Sequence, residues 1–277
     1  MSGAAPLAWS DPGPNGGSSN TATVRECLTR GTLEIEGRLL AASNATFVGT
    51  ASLDGVSLQC VYKPVRGERP LWDFPTGSLA GREVAAYEVS QQAGWDVVPV
   101  TVLAVGPFGP GMVQEWVNTV DSELVDVVPE GRVASGWLHV LDAWDADEHP
   151  VSLVHADRPE LRRMAVFDAA TNNADRKAGH LLPAAGTVRG CDHGLSFHVE
   201  DKLRTVLWGW AGQPLEEADL EPVRRLRSAL DQRAGLLASL VSPGETDQLR
   251  ARLDLLERDR RFPSPPPGWR AVPWPLF

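Results

Sequence analysis

The sequence predicts an α+β chain in two lobes, an antiparallel sheet with one helix followed by a mainly helical part, divided near residue 117. Three observations predict this. Residues 31–64 read as strands separated by turn signals, residues 82–94 carry one amphipathic helical pattern, and apolar residues recur at helical spacing from Gly136 to Arg258.

In the first lobe, Leu33 to Leu40 alternates loosely and Ala45 to Ala51 contains Thr46-Phe47-Val48. Asp54-Gly55 signals a hairpin, and Val56 to Tyr62 returns as a strand closed by Lys63 and stopped by Pro64. Arg82 to Gly94 then places Val84, Tyr87 and its alanines on one helical face. Asp96 to Val105 reads as strand, turn and strand around Pro99, and the glycine and proline run from Gly106 to Gly111 reads as a tight turn. Met112 to Val117 is expected to be the last strand and the connection between lobes.

In the second lobe, Gly136 to Trp144 and Pro159 to Ala170 read as helices, the latter with Pro159 near its start. Leu181-Leu182 and Leu195 with Phe197 read as short strands. Glu221 to Val241, with Pro222 in its first turn, and Pro243 to Arg258 read as two further helices. The Pro/Trp-rich stretch from Phe262 to Phe277 is expected to lie as an extended strap on the helical lobe, burying Trp269, Trp274 and Phe277. The expected divisions are therefore a disordered segment 1–22, a first lobe 23–117 and a second lobe 118–277. The opening segment is rich in Gly, Ser, Pro and Asn and lacks the basic start and apolar core of a signal peptide.

A net charge of −10 argues against a general nucleic-acid binder, since phosphate backbones are held by basic faces. No run approaches the length of a membrane-spanning helix, so no integral membrane association is expected. Cys27, Cys60 and Cys191 have no metal-ligand spacing and fit a reducing, cytoplasmic location. Of 26 basic residues only Lys63, Lys177 and Lys202 are lysine, so a lysine inside a strand suggests that a compact ammonium is wanted there.

The stretch from Phe167 to Gly194 carries the chemistry. It holds Asp175 and Asp192, with Asn172-Asn173 before the first and His180 between them. Phosphoryl transfer needs such a set, one carboxylate to orient or deprotonate a hydroxyl and another, with a neutral co-ligand, to hold Mg²⁺ or Mn²⁺ against phosphates. A lone Asp of this kind more often belongs to an ordinary surface loop. Upstream, a strand Lys followed by a helix Glu makes the ion pair that positions nucleotide phosphates, with Glu83 as first choice and Glu88 as fallback. The small polar turn Ser43-Asn44-Ala45 offers backbone N–H groups to a phosphate, and Gln114-Glu115-Trp116-Val117 offers backbone to an adenine edge, with Trp116 or Val117 lining the base pocket.

The order of these parts resembles the protein-kinase-like fold, in its phosphatidylinositol 3- and 4-kinase branch, near type II phosphatidylinositol 4-kinases, HipA-like bacterial kinases and an actinobacterial group of the same kind. The resemblance spans about Ser43 to Trp210. Ser43-Asn44-Ala45-Thr46-Phe47-Val48 is similar to the family's phosphate loop, Lys63-Pro64 to its Lys-Pro, Asn173-Ala174-Asp175-Arg176 to its Asn-Thr-Asp-Arg, and Asp192-His193-Gly194 to its metal-binding Asp-x-Gly. It implies that Asp175 is the catalytic carboxylate, Asp192 the principal metal ligand, Lys63 the phosphate-neutralising ammonium and Glu83 its orienting partner. The family usually has Asn five residues after the catalytic Asp, where this chain has His180; a neutral imidazole suits Mn²⁺ better than Mg²⁺.

The expected activity is ATP-dependent, metal-dependent transfer of the γ-phosphate to a hydroxyl acceptor, with a protein or small molecule favoured over a lipid because of the acidic balance. The alternatives are AMP transfer with the nucleotide flipped, and a nucleotide-binding pseudokinase, which His180 in place of Asn would favour.

Overall fold

The computed structural model describes residues 21–40, 44–233, 235–265, 268 and 270–277, so Ser43, Trp269 and nearly all of the segment 1–22 lie outside the described residues. Thr21 and Ala22 already belong to a helix, α1 (Thr21–Arg30), which the sequence reading did not anticipate. Its Val24, Cys27 and Leu28 form a buried stripe, and the Cys27 thiol donates to the Ala51 carbonyl at 3.3 Å. The first lobe thus has two helices rather than one.

Its sheet is antiparallel, with strands β1 (Thr32–Arg38), β2 (Phe47–Leu53), β3 (Val56–Pro64), β4 (Thr101–Gly106) and β5 (Gly109–Glu115) in the order β1-β2-β3-β5-β4. Asp54 (φ 48°) and Gly55 (φ 83°) make the two-residue turn between β2 and β3, both in the left-handed region that such hairpins require. Lys63 faces Met112 across β3 and β5, so Pro64 is the end of the strand and not the residue beyond it. The turn expected over 106–111 is narrower, since β5 begins at Gly109. The first half of the expected 96–105 hairpin is no strand. The N–H groups of Val97 and Val98 instead donate to the Ser90 hydroxyl (3.0 and 3.3 Å), which satisfies them without a ladder.

Helix α2 (Leu79–Ala93) follows β3 and ends on Gly94 at φ 74°. Val84, Ala85, Ala86, Tyr87 and Val89 are buried in the core. Arg82, on the same helix, is 1% exposed and reaches the second lobe, where it donates to the Ser196 carbonyl at 2.6 Å and pairs with Glu245.

The largest departure from the sequence reading is residues 137–144. They are strand β7 (Trp137–Trp144), not a helix, in a second antiparallel sheet with β6 (Val125–Pro129) and β8 (Pro150–Ala156), ordered β6-β8-β7. A β-bulge between His139 and Leu141 explains the misreading. The extra residue breaks the two-residue alternation, so apolar side chains fall at 137–138, 140–141 and 144, a spacing that imitates a helix. Asp145 then closes the hairpin by accepting from the Asp147 and His149 N–H groups, each at 2.9 Å.

Helix α3 (Pro159–Thr171) ends on Asn172 in the left-handed region and leads to the hairpin β9 (Leu181–Ala184) and β10 (Thr187–Gly190). Leu195 and Phe197 are not a strand. Phe197 has φ 70° and its N–H donates to the Thr171 carbonyl at 2.6 Å, which turns the chain under α3. Helix α4 (Glu217–Gln232) starts and stops earlier than expected, places Pro222 in its interior and leaves Leu237 in the turns beyond. Helix α5 (Pro243–Asp259) starts at a reciprocal cap between Ser242 and Glu245. The tail does lie on the second lobe, but Trp274 (76%) and Phe277 (63%) stay exposed. Among the described residues no helix is long and apolar enough to cross a membrane.

Candidate active site

Near the end of strand β3, Lys63 points into the gap between the lobes, and two carboxylates meet it there. Its Nζ lies 2.7 Å from Glu83 Oε1 on α2 and 2.6 Å from Asp192 Oδ1, 129 positions away in sequence. The Glu83 alternative is therefore the one that pairs, while Glu88 salt-bridges Arg25. The second oxygen of Glu83 accepts the His193 N–H at 2.8 Å, so one helix carboxylate orients both the ammonium and the loop that carries Asp192. Burial opposes the charge on Lys63, and the two carboxylates outweigh it and hold its ammonium above the usual range. The Lys63 charge in turn holds Asp192 well below the usual carboxylate range, although half of that side chain stays in contact with solvent.

Asp175 stands on the loop after α3. Its N–H donates to Asn173 Oδ1 at 3.0 Å, and Asn173 donates to Asp168 Oδ1 at 3.0 Å. Burial raises the Asp175 carboxyl to about 6 against the opposing charge of Lys177, whose Nζ is 3.4 Å away. His180 turns back on the same loop. Its Nδ1 lies 2.8 Å from the Asp175 carbonyl and must carry the proton to bond there. Burial lowers the ring's pKa to about 4, so the imidazole is neutral and Nε2 is a bare acceptor. That nitrogen faces Asp192 Oδ2 at 3.4 Å. Two acceptors with no proton between them repel unless a cation bridges them, so the donor set fits a divalent ion. Among the described residues no group of three His, Cys, Asp or Glu side chains surrounds a common point. A metal here would take two protein ligands and draw the rest from phosphate and water, as Mg²⁺-type sites do.

Beneath these groups lies a set of residues that the sequence reading missed. Arg176 is fully buried and forks onto Asp168 of α3 (Nε to Oδ2 2.9 Å, Nη2 to Oδ1 2.8 Å). It also donates to His193 Nε2 at 2.8 Å and to the His180 and Cys191 carbonyls at 3.3 and 3.2 Å. One guanidinium thus fixes both the Asp175 loop and the Asp192 loop. Its position beside Asp175 marked it as part of a motif, but the partner on the preceding helix is visible only once α3 is folded.

Lys63, Glu83, Asp175, Asp192, His180 and Asn44 line one cavity of about 580 Å³. Asn44 Oδ1 accepts the Arg69 N–H at 2.9 Å and the Ala45 N–H donates to the Gly67 carbonyl at 3.2 Å, which ties the phosphate-loop candidates to the segment after β3. The same wall holds Glu68, whose carboxylate accepts from Leu79 and Ala80 at the start of α2. The connecting strand sits differently. Gln114 is buried and donates to the Thr101 hydroxyl at 2.8 Å, and Glu115, Trp116 and Val117 line a separate cavity of about 420 Å³ beside Arg189. The Trp116 N–H is used by the Gln59 carbonyl at 3.0 Å, whereas the Val117 backbone bonds no described residue.

No family model matches the sequence. Among solved structures, the Helicobacter pylori proinflammatory kinase CtkA has a TM-score of 0.43 and 11% identity over 85% of this chain and 94% of that chain, a likeness too loose to establish a shared fold. Protein Rv2133c of Mycobacterium tuberculosis (strain ATCC 25618 / H37Rv) is 50% identical over 262 residues, which cover 90% of this chain and 94% of that protein. An identity of that level over nearly the whole of both chains means that this chain belongs to the family of Rv2133c.

Proposed function

We propose that the chain is a kinase-type phosphotransferase that takes a nucleoside triphosphate, ATP, and passes its γ-phosphoryl group to a hydroxyl. The observation that carries this reading is the meeting of Lys63, Glu83 and Asp192 within 2.7 Å contacts, on the cavity that also holds Asp175. Structural ion pairs do not need a half-exposed carboxylate or a carboxyl raised toward neutrality beside them. The wall carries Glu68, Glu83, Asp175 and Asp192 against Lys63, Arg69 and Lys177, one negative charge in excess. A polyanion therefore enters such a space only together with added positive charge.

Asp192 and His180 would hold a divalent cation, which when bound would supply that charge to the phosphates. Lys63 neutralises the inner phosphates and Glu83 keeps its ammonium aimed, while Asn44 faces the triphosphate from the turn before β2 and the Ala45 N–H, taken by Gly67, does not reach it. Asp175 accepts the acceptor's proton as its oxygen attacks, and the group passes without a covalent enzyme intermediate. The preference of His180 for Mn²⁺ over Mg²⁺ belongs to this proposal.

The test uses γ-labelled and α-labelled ATP with the wild type beside Asp175→Ala. The reading expects γ label on an acceptor with the wild type and none with the variant. An α label on the acceptor would mean AMP transfer. Calorimetry that finds no metal-dependent nucleotide affinity would overturn the reading altogether.

A further inference from the structure

We propose that the acceptor is a small hydroxylated molecule carrying a carboxylate or phosphate, held at Arg69 and Lys177 and against Leu71 and Phe277, and not a segment of another protein. This rests on the phosphotransferase reading above. Two segments contribute Arg69 and Leu71, and Pro275 and Phe277, to the cavity wall. The first, residues 68–78, is tied down on the opposite lobe: Lys202 donates to Asp73 Oδ2 at 2.6 Å, His198 Nε2 donates to the Asp73 carbonyl at 2.9 Å, and Phe74 is buried edge-on against His198. The second is the tail. The Ala271 carbonyl accepts from Thr205 at 3.1 Å and from Trp208 Nε1 at 2.8 Å, and the Leu276 carbonyl accepts the Ala178 N–H at 2.9 Å.

That last bond decides between acceptors. Ala178 is three residues past Asp175, so the backbone edge on which an extended polypeptide would pair beside the catalytic carboxylate is already taken. The cavity of about 580 Å³ has to take the triphosphate as well, so what remains between the two segments is room for a small molecule only.

The wall's chemistry gives the class. Lys63 serves the nucleotide in that reading and Lys177 shares Asp175, whereas the Arg69 guanidinium meets no carboxylate or aromatic partner among the described residues. Its backbone is nevertheless fixed through Asn44. A guanidinium with free paired donors fits a carboxylate or phosphate. Leu71 and Phe277 keep about a third and two thirds of their surface exposed on the same wall, apolar area that a ligand would cover. In the step itself the acceptor oxygen bonds to the γ-phosphorus, the bond from that phosphorus to the β-bridging oxygen breaks, the hydroxyl proton goes to Asp175, and the diphosphate leaves.

The full chain with γ-labelled ATP and Mg²⁺ or Mn²⁺ is offered three fractions of a cell extract: dialysable small molecules, retained proteins and extracted lipids. The label is expected in a dialysable compound that binds an anion exchanger before the reaction. With that compound, Arg69→Ala should raise KM about tenfold or more and leave kcat within about twofold, the effect of one lost charge-assisted contact, while nucleotide affinity by calorimetry falls by clearly less than KM rises. Arg69→Lys should recover part of the loss. Label on a retained protein or a lipid, or in no fraction from a chain that binds nucleotide, overturns the proposal, as does an unchanged KM in Arg69→Ala. A chain that binds no nucleotide overturns the phosphotransferase reading instead.

Discussion

Two charge networks stand side by side in this molecule, one centred on Arg176 and one on Lys63, and they are built to opposite ends. Around Arg176 both partners of the ion pair are fully buried, and the guanidinium's donors are taken up by Asp168, His193 and two carbonyls. Around Lys63 the ammonium keeps a little solvent contact and Asp192 keeps half of its surface. The first network cannot exchange partners without stranding a charge in the core. The second can, because water or a ligand can replace what Asp192 gives up. Position in the chain does not distinguish them; solvent access does.

Breaking the inner network should have the largest effect. Arg176→Ala leaves Asp168 buried and unpaired and should destabilise the fold by about 3–5 kcal/mol, read as a large fall in the denaturation midpoint. If stability is retained, the two networks are not different in kind. Asp192→Asn should do the reverse, lowering turnover by about 10²–10³-fold, as loss of one preorganised electrostatic group does, with little change in stability, because half of that side chain is exposed and Glu83 still pairs Lys63. A strongly destabilised Asp192→Asn would make the outer network structural as well.

Smaller effects sharpen the contrast. His180→Ala should weaken metal-dependent nucleotide binding by roughly tenfold or more for Mn²⁺ and less for Mg²⁺, measured by titration with each ion. Equal losses for both ions, or none, would take the imidazole out of the site. His155 provides a pH test away from the site. It is buried, its Nδ1 donates to the Ala156 carbonyl at 3.0 Å and its Nε2 accepts the Gly209 N–H at 3.0 Å, so the folded ring is neutral and burial lowers its pKa. The unfolded chain then binds the extra proton first. Stability is full above the ordinary histidine value of 6.5 and should fall as pH drops below it, and His155→Gln should flatten that slope in denaturant melts. At the bottom of the scale, Arg25→Ala should cost under about 1 kcal/mol, since its bridge to Glu88 lies at the surface.

Lys63, Glu83, Asp175, Asp192 and His180 were all legible before folding, since each sits at a strand end, on a helix face or in a short loop whose local pattern is strong. The connecting strand was legible as a strand but not in its aim, because one residue of register decides which face Gln114 takes, and it faces Thr101. Strand β7 was hidden by a single bulged residue. Arg69, Leu71 and Phe277 carried no signal at all, because only the return of the tail past the Asp175 loop brings them to one wall.

The ion pair that Arg82 makes with Glu245 across the lobes bears on control of the molecule. Helix α2 carries Glu83, and its neighbouring residue is clamped, nearly dry, to the other half of the chain. Rotating that helix outward to disarm the lysine would tear open a dry contact costing several kcal/mol. Outward rotation of α2 is thus opposed by this contact and needs an input of comparable size.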